Sequence, residues 1–191
     1  MIGNDIIDLN YARIHNNWRR RGFLQKAFLV SEQQLIMDSE EPDKIVWTLW
    51  SMKESVYKAS LREGTQRKFN PRAFLCNLTS VTKGTVIFKE RIYWTRSEHK
   101  DDLIHTRAIL ENVHIDLYMD LINIPASKSQ SEEVYAFLLK SVSDRRKWSI
   151  ASVKIKKNIM GIPELFRNDE KISTLCSISH HGAYGAFLTT Y

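Results

Sequence analysis

The sequence predicts an α+β fold in which helices pack against an antiparallel sheet, rather than a regular alternation of strands and helices. Strand-like patterns with a period of two residues are concentrated between residues 73 and 119. Helical patterns with one apolar face lie outside that region, over residues 47–61 and 132–146. A chain of 191 residues, 43% hydrophobic and 26% charged, suits a globular protein with a substantial core. We expect a single domain over residues 1–191.

The first nine residues predict a short buried strand that carries two acids, Asp5 and Asp8. Asp5 stands among isoleucines, which is an apolar setting for a charge. Gly3 would let the backbone pass close to another element. Asp8 could instead begin the next helix, because aspartate is a good N-cap residue.

The next segment predicts helices. Residues 10–29 have a basic, partly amphipathic pattern, and Ser31 with Gln34 predicts a capping box for a helix over residues 33–38. Pro42 and Asp43 mark a break before the helix at Trp47, and Gly64 is a natural stop for that helix.

The helix over residues 47–61 carries charges where a core face is expected. At 100° per residue, one narrow stripe contains Trp47, Trp50, Glu54, Lys58 and Leu61. A carboxylate beside two indoles must be paired, bound to a metal or protonated. One interpretation is a half-buried Glu54–Lys58 ion pair in a core helix. The other is a metal-binding carboxylate beside an anion-binding lysine, and the spacing leaves both open.

The second half of the chain predicts strands around one helix. The helix over residues 132–146 has Ser131 at its cap, acidic residues in its first turn and basic residues in its last. Strands are predicted over residues 74–81, 85–94, 107–119 (with Ile109, Val113, Ile115 and Leu117 on one face), 148–156, 175–180 and 183–190, with a hairpin turn at 82–84.

The net charge of +6 favours an anionic partner such as a phosphorylated cofactor, an acidic protein or nucleic acid. RNA is the weaker expectation, because the basic clusters lack the aromatic-rich strands of common RNA-binding folds. Two distant cysteines, Cys76 and Cys176, indicate buried thiols in a reducing compartment. No apolar run is long enough for a bilayer, so we expect a cytoplasmic protein without a membrane partner.

Three segments share an unusual feature, a polar group placed in or beside an apolar run. They are Gly3-Asn4-Asp5, Trp50 to Lys58 (WSMKESVYK) and Ser177-Ile178-Ser179-His180. In this order they resemble the motifs G-x-D, W-x-x-K-E-(A/S)-x-x-K and S-x-S-H of the 4′-phosphopantetheinyl transferases. The resemblance is closest to their short, holo-acyl-carrier-protein-synthase-like branch, and it covers residues 1–64 and 148–191.

The resemblance implies a role for each matching residue. Asp5 and Glu54 would ligate Mg²⁺. Lys58 and His180 would contact the pyrophosphate of coenzyme A, with Ser179 beside it, so that Glu54, Lys58 and His180 form the catalytic set. Asp8 would support the site without binding the metal.

Two departures from the family pattern change what is expected of this chain. Ile162 replaces a basic residue in a G-(K/R)-P turn, so we expect the phosphate contact either to be lost or to move to Arg67 or Lys68. Residues 65–147 contain far more chain than the short branch has there, which predicts an inserted, strand-rich region with a helix.

The reaction implied by the resemblance is transfer of the phosphopantetheine arm of coenzyme A to a serine of an apo acyl or peptidyl carrier protein, with release of adenosine 3′,5′-bisphosphate. Fatty acid biosynthesis is one setting for such a carrier. The basic residues Arg13 and Arg19–Arg21 lie on the segment expected to meet the carrier. A single copy of each motif predicts a homo-oligomer, a trimer by resemblance. The alternative is a non-catalytic basic module that binds coenzyme A or RNA.

Overall fold

The structure is a computed structural model that describes residues 1–110 and 115–190. The helices in these residues are α1 (Leu9–His15), α2 (Phe23–Ala27), α3 (Val30–Met37), α4 (Pro42–Leu61) and α5 (Gln130–Arg146). The strands are β1 (Ile2–Asp8), β2 (Leu75–Ser80), β3 (Lys83–Phe88), β4 (Arg91–Lys100), β5 (Leu103–Leu110), β6 (Leu117–Asn123), β7 (Val153–Lys157), β8 (Pro163–Arg167), β9 (Glu170–Lys171), β10 (Cys176–His181) and β11 (Tyr184–Thr190). Helices packed on antiparallel sheets confirm the predicted α+β fold.

Residues 1–110, here called the first lobe, form one antiparallel sheet with helix α4 packed against it. The strand order is β1-β5-β4-β3-β2, so the first strand pairs with the last strand of the lobe, with Asp5 opposite Thr106. Helix α4 lies against β1 and β5 and buries Leu49, Met52 and Val56, as its 3.6-residue period requires. A side chain at Gly3 would overlap the carbonyl oxygen of Ser55, so only glycine allows this close crossing.

Residues 115–190, here called the second lobe, have a core of their own. They form two three-stranded sheets, β10-β11-β6 and β7-β8-β9, and α5 packs against β10, β11 and β7. Val134, Leu138 and Val142 form the buried face of α5 and contact the same core as Leu165 and Phe187. The predicted core face of this helix is therefore confirmed.

The two lobes meet where β10 passes beside β1. The backbone N–H of Asn4 donates to the hydroxyl of Ser177 at 3.0 Å, and that of Asp8 donates to Nδ1 of His181 at 3.1 Å. Side chains of β10 thus satisfy backbone donors that β1 does not use in its own sheet. This contact holds the end of β10 close to Asp5.

Four of the helix predictions are wrong in detail. Helix α4 begins at Pro42 instead of Trp47, and α5 begins at Gln130 with Ser129 instead of Ser131 at its cap. Residues 10–29 form two short helices, α1 and α2, because Gly22 adopts a φ of 81° and Trp18 turns inward to donate from Nε1 to Asp43 at 2.6 Å. Helix α3 begins at Val30, and its first turn is closed by Glu32, whose Oε2 accepts the N–H of Leu29 at 2.8 Å. A capping box at Ser31 is therefore not formed.

The strand predictions merge two pairs of strands and miss β8 and β9. The predicted strand over 85–94 is the pair β3 and β4, joined by Lys89 and Glu90 with φ values of 49° and 63°. Neither residue is a glycine or asparagine, so the usual signal of such a turn was missing. The predicted strand over 107–119 spans the end of β5 and the start of β6, and Val113 lies outside the described residues.

The segment 65–147 does not form a separate layer. Strands β2–β5 continue the sheet that β1 begins, while β6 and α5 belong to the second lobe. Both cysteines are free. No helix among the described residues is long and apolar enough to cross a membrane.

Candidate functional site

A cavity of about 460 Å³ lies between the two lobes. The first lobe contributes β1, α4 and the segment after α4. The second lobe contributes the first turns of α5, the segment between β7 and β8, and β10. Six of the seven predicted site residues line this one cavity: Asp5, Glu54, Lys58, Arg67, Ser179 and His180.

Helix α4 directs its charged stripe into the cavity. Trp50, Glu54, Lys58 and Leu61 all line it, as residues three or four positions apart should on one helix face. Trp47, at the start of the same stripe, is buried in the core of the first lobe. The stripe predicted from the sequence therefore divides between core and cavity.

Lys58 connects α4 to β1. Its Nζ donates to Oδ1 of Asp5 at 2.8 Å and to the carbonyl oxygen of Asn4 at 3.0 Å. The ion pair of Lys58 is thus formed with Asp5 instead of with Glu54, the partner that the helical spacing allowed. Asp5, which pairs with the ammonium of Lys58, lies 53 positions earlier in the chain, so helical spacing could not indicate this partner.

Glu54 is left as a partly buried carboxylate beside that of Asp5. Burial, and then the charge of Asp5, raise the pKa of Glu54 to about 7, while Lys58 opposes the rise. Oδ2 of Asp5 is also buried and has no hydrogen-bond partner within the described residues. The carboxylates of Asp5 and Glu54 lie close together and have oxygens without a hydrogen-bond donor among the described residues, which favours a bound cation.

These two residues fit Mg²⁺ better than a metal held entirely by protein. No group of three or more His, Cys, Asp or Glu side chains in residues 1–110 and 115–190 could hold a metal ion. Mg²⁺ is commonly bound by one or two carboxylates and keeps waters or substrate phosphate oxygens as its other ligands. Asp5 and Glu54 match that donor set, and the position two residues after Asp5 is an isoleucine.

His180 faces the cavity from β10. Burial, and then the charge of Lys58, lower the pKa of His180, so the neutral imidazole is favoured at pH 7. Its Nε2 lies 3.2 Å from Oγ of Ser131, at the start of α5. The hydroxyl of Ser179 accepts a hydrogen bond from Nδ2 of Asn4 at 3.0 Å. Ser179 therefore contributes to the wall while its hydroxyl is bound to β1.

Arg67 and Lys68 differ in where their side chains lie. Arg67 lines the cavity next to Gly161, where an added Cβ would come within 2.7 Å of Nη1. Gly161 adopts a φ of 71°, which glycine allows without strain. Lys68 is exposed and does not line the cavity, so the structure does not bring it to the other predicted residues.

Two further polar residues of the motifs stabilise the surroundings of the cavity. Lys53 is fully buried, and its Nζ donates to both carboxylate oxygens of Glu32 at 2.9 and 2.7 Å. Asp8 accepts the N–H of Tyr11 at 3.0 Å and the N–H of Ala183 at 3.1 Å. Asp8 therefore caps α1 and binds the turn after β10, a supporting position.

The sequence did not identify four polar residues of the cavity wall: Arg62, Ser131, Tyr135 and Lys157. Arg62 donates to the carbonyl oxygens of Pro163 and Cys176, and so connects the end of α4 to the second lobe. For Lys157, the sequence offered one signal, the alternation of side chains between the two faces of a strand. Lys157 falls on the opposite face of β7 from Lys154 and Lys156.

A second, smaller cavity of about 240 Å³ lies beside α2. Arg13 and Arg19, both expected to meet a carrier, form ion pairs with Asp102 and Asp43. Three cations line the second cavity and form no ion pair in the described part of the chain: Arg20, Arg21 and Lys26. The apolar part of its wall includes Phe23, Trp50 and Pro71. Trp50 belongs to the walls of both cavities.

Comparison with known proteins gives one family match. The family model described as ACPS, 4′-phosphopantetheinyl transferase superfamily, matches residues 1–114. No curated protein sequence matches the chain. The Helicobacter pylori holo-[acyl-carrier-protein] synthase, solved in complex with coenzyme A, is 13% identical with a TM-score of 0.46, over 58% of this chain and 100% of that one. The Thermotoga maritima holo-[acyl-carrier-protein] synthase is 11% identical with a TM-score of 0.46, over 89% of this chain and 83% of that one.

Proposed function

Because the chain belongs to the 4′-phosphopantetheinyl transferase superfamily, we propose that it transfers the 4′-phosphopantetheine arm of coenzyme A to a serine of an apo carrier protein, in a Mg²⁺-dependent reaction. The observation that carries this proposal is the convergence of Asp5, Glu54, Lys58 and His180 in one cavity. They come from three segments far apart in the sequence. A structural ion pair alone would not require the histidine or the open space.

In the proposed reaction the serine oxygen attacks the β-phosphorus of coenzyme A. A new bond forms between that oxygen and phosphorus, and the bond from phosphorus to the bridging oxygen of the diphosphate breaks. Adenosine 3′,5′-bisphosphate leaves with the bridging oxygen, and the serine hydroxyl loses its proton. Such transfers depend chiefly on positioning and on neutralising charge.

The side chains of the cavity suit these requirements. The ammonium of Lys58 and the neutral imidazole of His180 offer hydrogen bonds to the oxygens of the diphosphate. Asp5 and Glu54 would hold Mg²⁺, which would supply further positive charge for the same oxygens. Arg67, at the edge of the cavity beside Gly161, is placed to bind another phosphate of the coenzyme.

We place the carrier protein at the second cavity. Carrier domains offer their serine in an acidic helical setting, which suits the unpaired Arg20, Arg21 and Lys26. The apolar Phe23 in the same wall gives such a helix a surface to pack on. Trp50 joins this surface to the first cavity, so a carrier bound there has its serine close to the diphosphate.

The test is intact-mass spectrometry of apo carrier proteins incubated with coenzyme A, Mg²⁺ and the protein. We expect the mass of one phosphopantetheine group to be added. If coenzyme A binds but no apo carrier gains mass, the protein is the non-catalytic binding module instead.

Substitution of Glu54 tests the metal assignment. We expect Glu54→Gln to lower the transfer rate by roughly 100-fold or more, because charge neutralisation at the diphosphate is lost. The fold should remain, since Glu54 is partly buried and forms no ion pair with any residue that the structure describes. Mg²⁺ should raise the Tm of the wild type at pH 8 and leave that of the variant unchanged. Glu41→Gln, on the surface, is the matched control. Full transfer by Glu54→Gln would show that the assignment is wrong.

A further inference from the structure

The lysines at the end of β7 have two different electrostatic environments. Lys154 and Lys156 extend to one side of the strand, and their Nζ atoms lie 3.3 and 3.1 Å from Oδ1 of Asp169. Lys157 extends to the other side and lines the cavity between the lobes. It forms no ion pair with any described residue, so its charge is available to a ligand.

The ring of Tyr135, on α5, lies beside this ammonium. Nζ of Lys157 lies 5.7 Å from the centroid of the ring, a distance at which the ring attracts the cation. The hydroxyl of Tyr135 is buried, and it has no hydrogen-bond partner in the part of the chain that the structure describes. A buried hydroxyl without a partner costs free energy unless a ligand or water binds it. Lys157 and Tyr135 therefore present a cation and an unused donor in the same wall.

The position of Lys157 relative to the proposed reaction centre points to its ligand. Lys157 and His180 line the same cavity, and the charge of Lys157 is one of the influences that lower the pKa of His180. Lys58, Arg62 and Arg67 bring further positive charges to the same cavity, so it favours a ligand with several negative oxygens beside the two carboxylates. Coenzyme A has phosphate groups at its diphosphate and at its ribose.

We propose that Lys157, supported by Tyr135, binds a phosphate group of coenzyme A from the second lobe. This inference rests on the proposed function and adds a residue that the family motifs do not contain. It also gives the second lobe a second direct contact with the substrate, in addition to that of His180.

The test is calorimetric titration of the full chain with coenzyme A, comparing Lys157→Met with the wild type. Loss of one charge-assisted hydrogen bond should raise the Kd by about tenfold. Lys157→Arg should retain most of the affinity, and Tyr135→Phe should weaken binding by about threefold. Lys156→Met is the matched control, because it removes a lysine from the same strand but from the opposite face.

A parallel titration with dephospho-coenzyme A identifies the phosphate. If Lys157→Met weakens both ligands equally, the contact is to the diphosphate. If it weakens coenzyme A alone, the contact is to the ribose 3′-phosphate, and both outcomes support the proposal.

An unchanged Kd for Lys157→Met, or an equal loss for Lys156→Met, would overturn the inference. The proposed function would stand in that case, provided that the wild type still modifies a carrier. A wild type that does not bind coenzyme A would overturn both.

Discussion

Two buried polar side chains, Lys53 and His105, and the partly buried Glu54 are accommodated in three different ways. Lys53 is fully paired, because the carboxylate of Glu32 and two carbonyl oxygens accept hydrogen bonds from its Nζ. His105 gives up its charge, since burial is the main reason that its pKa falls to about 4. Burial and the nearby charge of Asp5 disfavour the ionised form of Glu54, and Lys58 offsets this only in part. The pKa of Glu54 therefore rises to about 7. The incompletely compensated group is the one that faces the cavity, as expected at a functional site.

The state of His105 predicts how stability depends on pH. Its folded-state pKa of about 4 lies below the ordinary value of 6.5, so only the unfolded chain takes up a proton between these values. The stability that this histidine contributes is full above pH 6.5 and is lost as the pH falls towards 4. We expect the wild type to lose roughly 2 kcal/mol between about pH 7.5 and pH 5 from this group.

Urea unfolding at the two pH values, with His105→Gln as the comparison, measures this contribution. Glutamine retains a donor and an acceptor for the amide of Asn4, which lies 3.2 Å from Nε2 of His105. The variant should lose clearly less stability than the wild type on acidification. An equal loss in both proteins would mean that His105 does not titrate as expected.

At the scale of secondary-structure elements, one buried ion pair joins α3, α4 and the start of β2. Lys53 of α4 binds Glu32 of α3, and Oε1 of Glu32 also accepts the N–H of Cys76 at 2.8 Å. The carbonyl oxygens of Pro71 and Phe74 complete the shell around Nζ at 3.0 and 2.6 Å. The pair therefore fixes the helix that carries Glu54 without entering the cavity.

Removing either partner should destabilise the fold. We expect Lys53→Met to cost roughly 3–5 kcal/mol, because it leaves the Glu32 carboxylate buried and unpaired. The double variant Glu32→Leu/Lys53→Met should be less destabilised than the two single effects added together, since it leaves no buried charge. Unfolding in urea measures all three variants. Additive losses would show that the two side chains do not interact across α3 and α4.

At the scale of the whole molecule, both lobes of one chain supply the walls of the cavity. The single copy of each motif predicts a homo-oligomer and the family resemblance implies a trimer, and the oligomeric state stays a prediction. His180 is supplied by the same chain as Asp5 and Glu54, because β10 binds along the free edge of β1. A second subunit is therefore not needed to complete the cavity.

This arrangement predicts that transfer activity per chain does not change on dilution. A site made within one chain remains complete at any concentration, whereas a shared site is lost when subunits separate. Transfer rates across a wide dilution series, with sedimentation to follow any oligomer, provide the measurement. A fall in specific activity that accompanies dissociation would show that a neighbouring subunit contributes to catalysis.

Local patterns were sufficient to predict α4, α5 and most of the strands, because each has a clear period and a recognisable end. They failed between residues 10 and 29, where Trp18 and Asp43 meet across a long separation in sequence. They also failed at Lys89 and Glu90, which form a turn without the residues that usually mark one.

The sequence by itself singled out the residues to which the proposed chemistry is assigned, since the three motifs contain Asp5, Glu54, Lys58 and His180. Only the tertiary structure decided how these residues are paired. Lys58 forms its ion pair with Asp5 and not with Glu54, and Lys53 forms an ion pair with Glu32. It also added Arg62, Tyr135 and Lys157 to the cavity. The physical reason is that residue type and spacing are local properties, whereas the partner of a charge depends on which distant strand or helix folding places beside it.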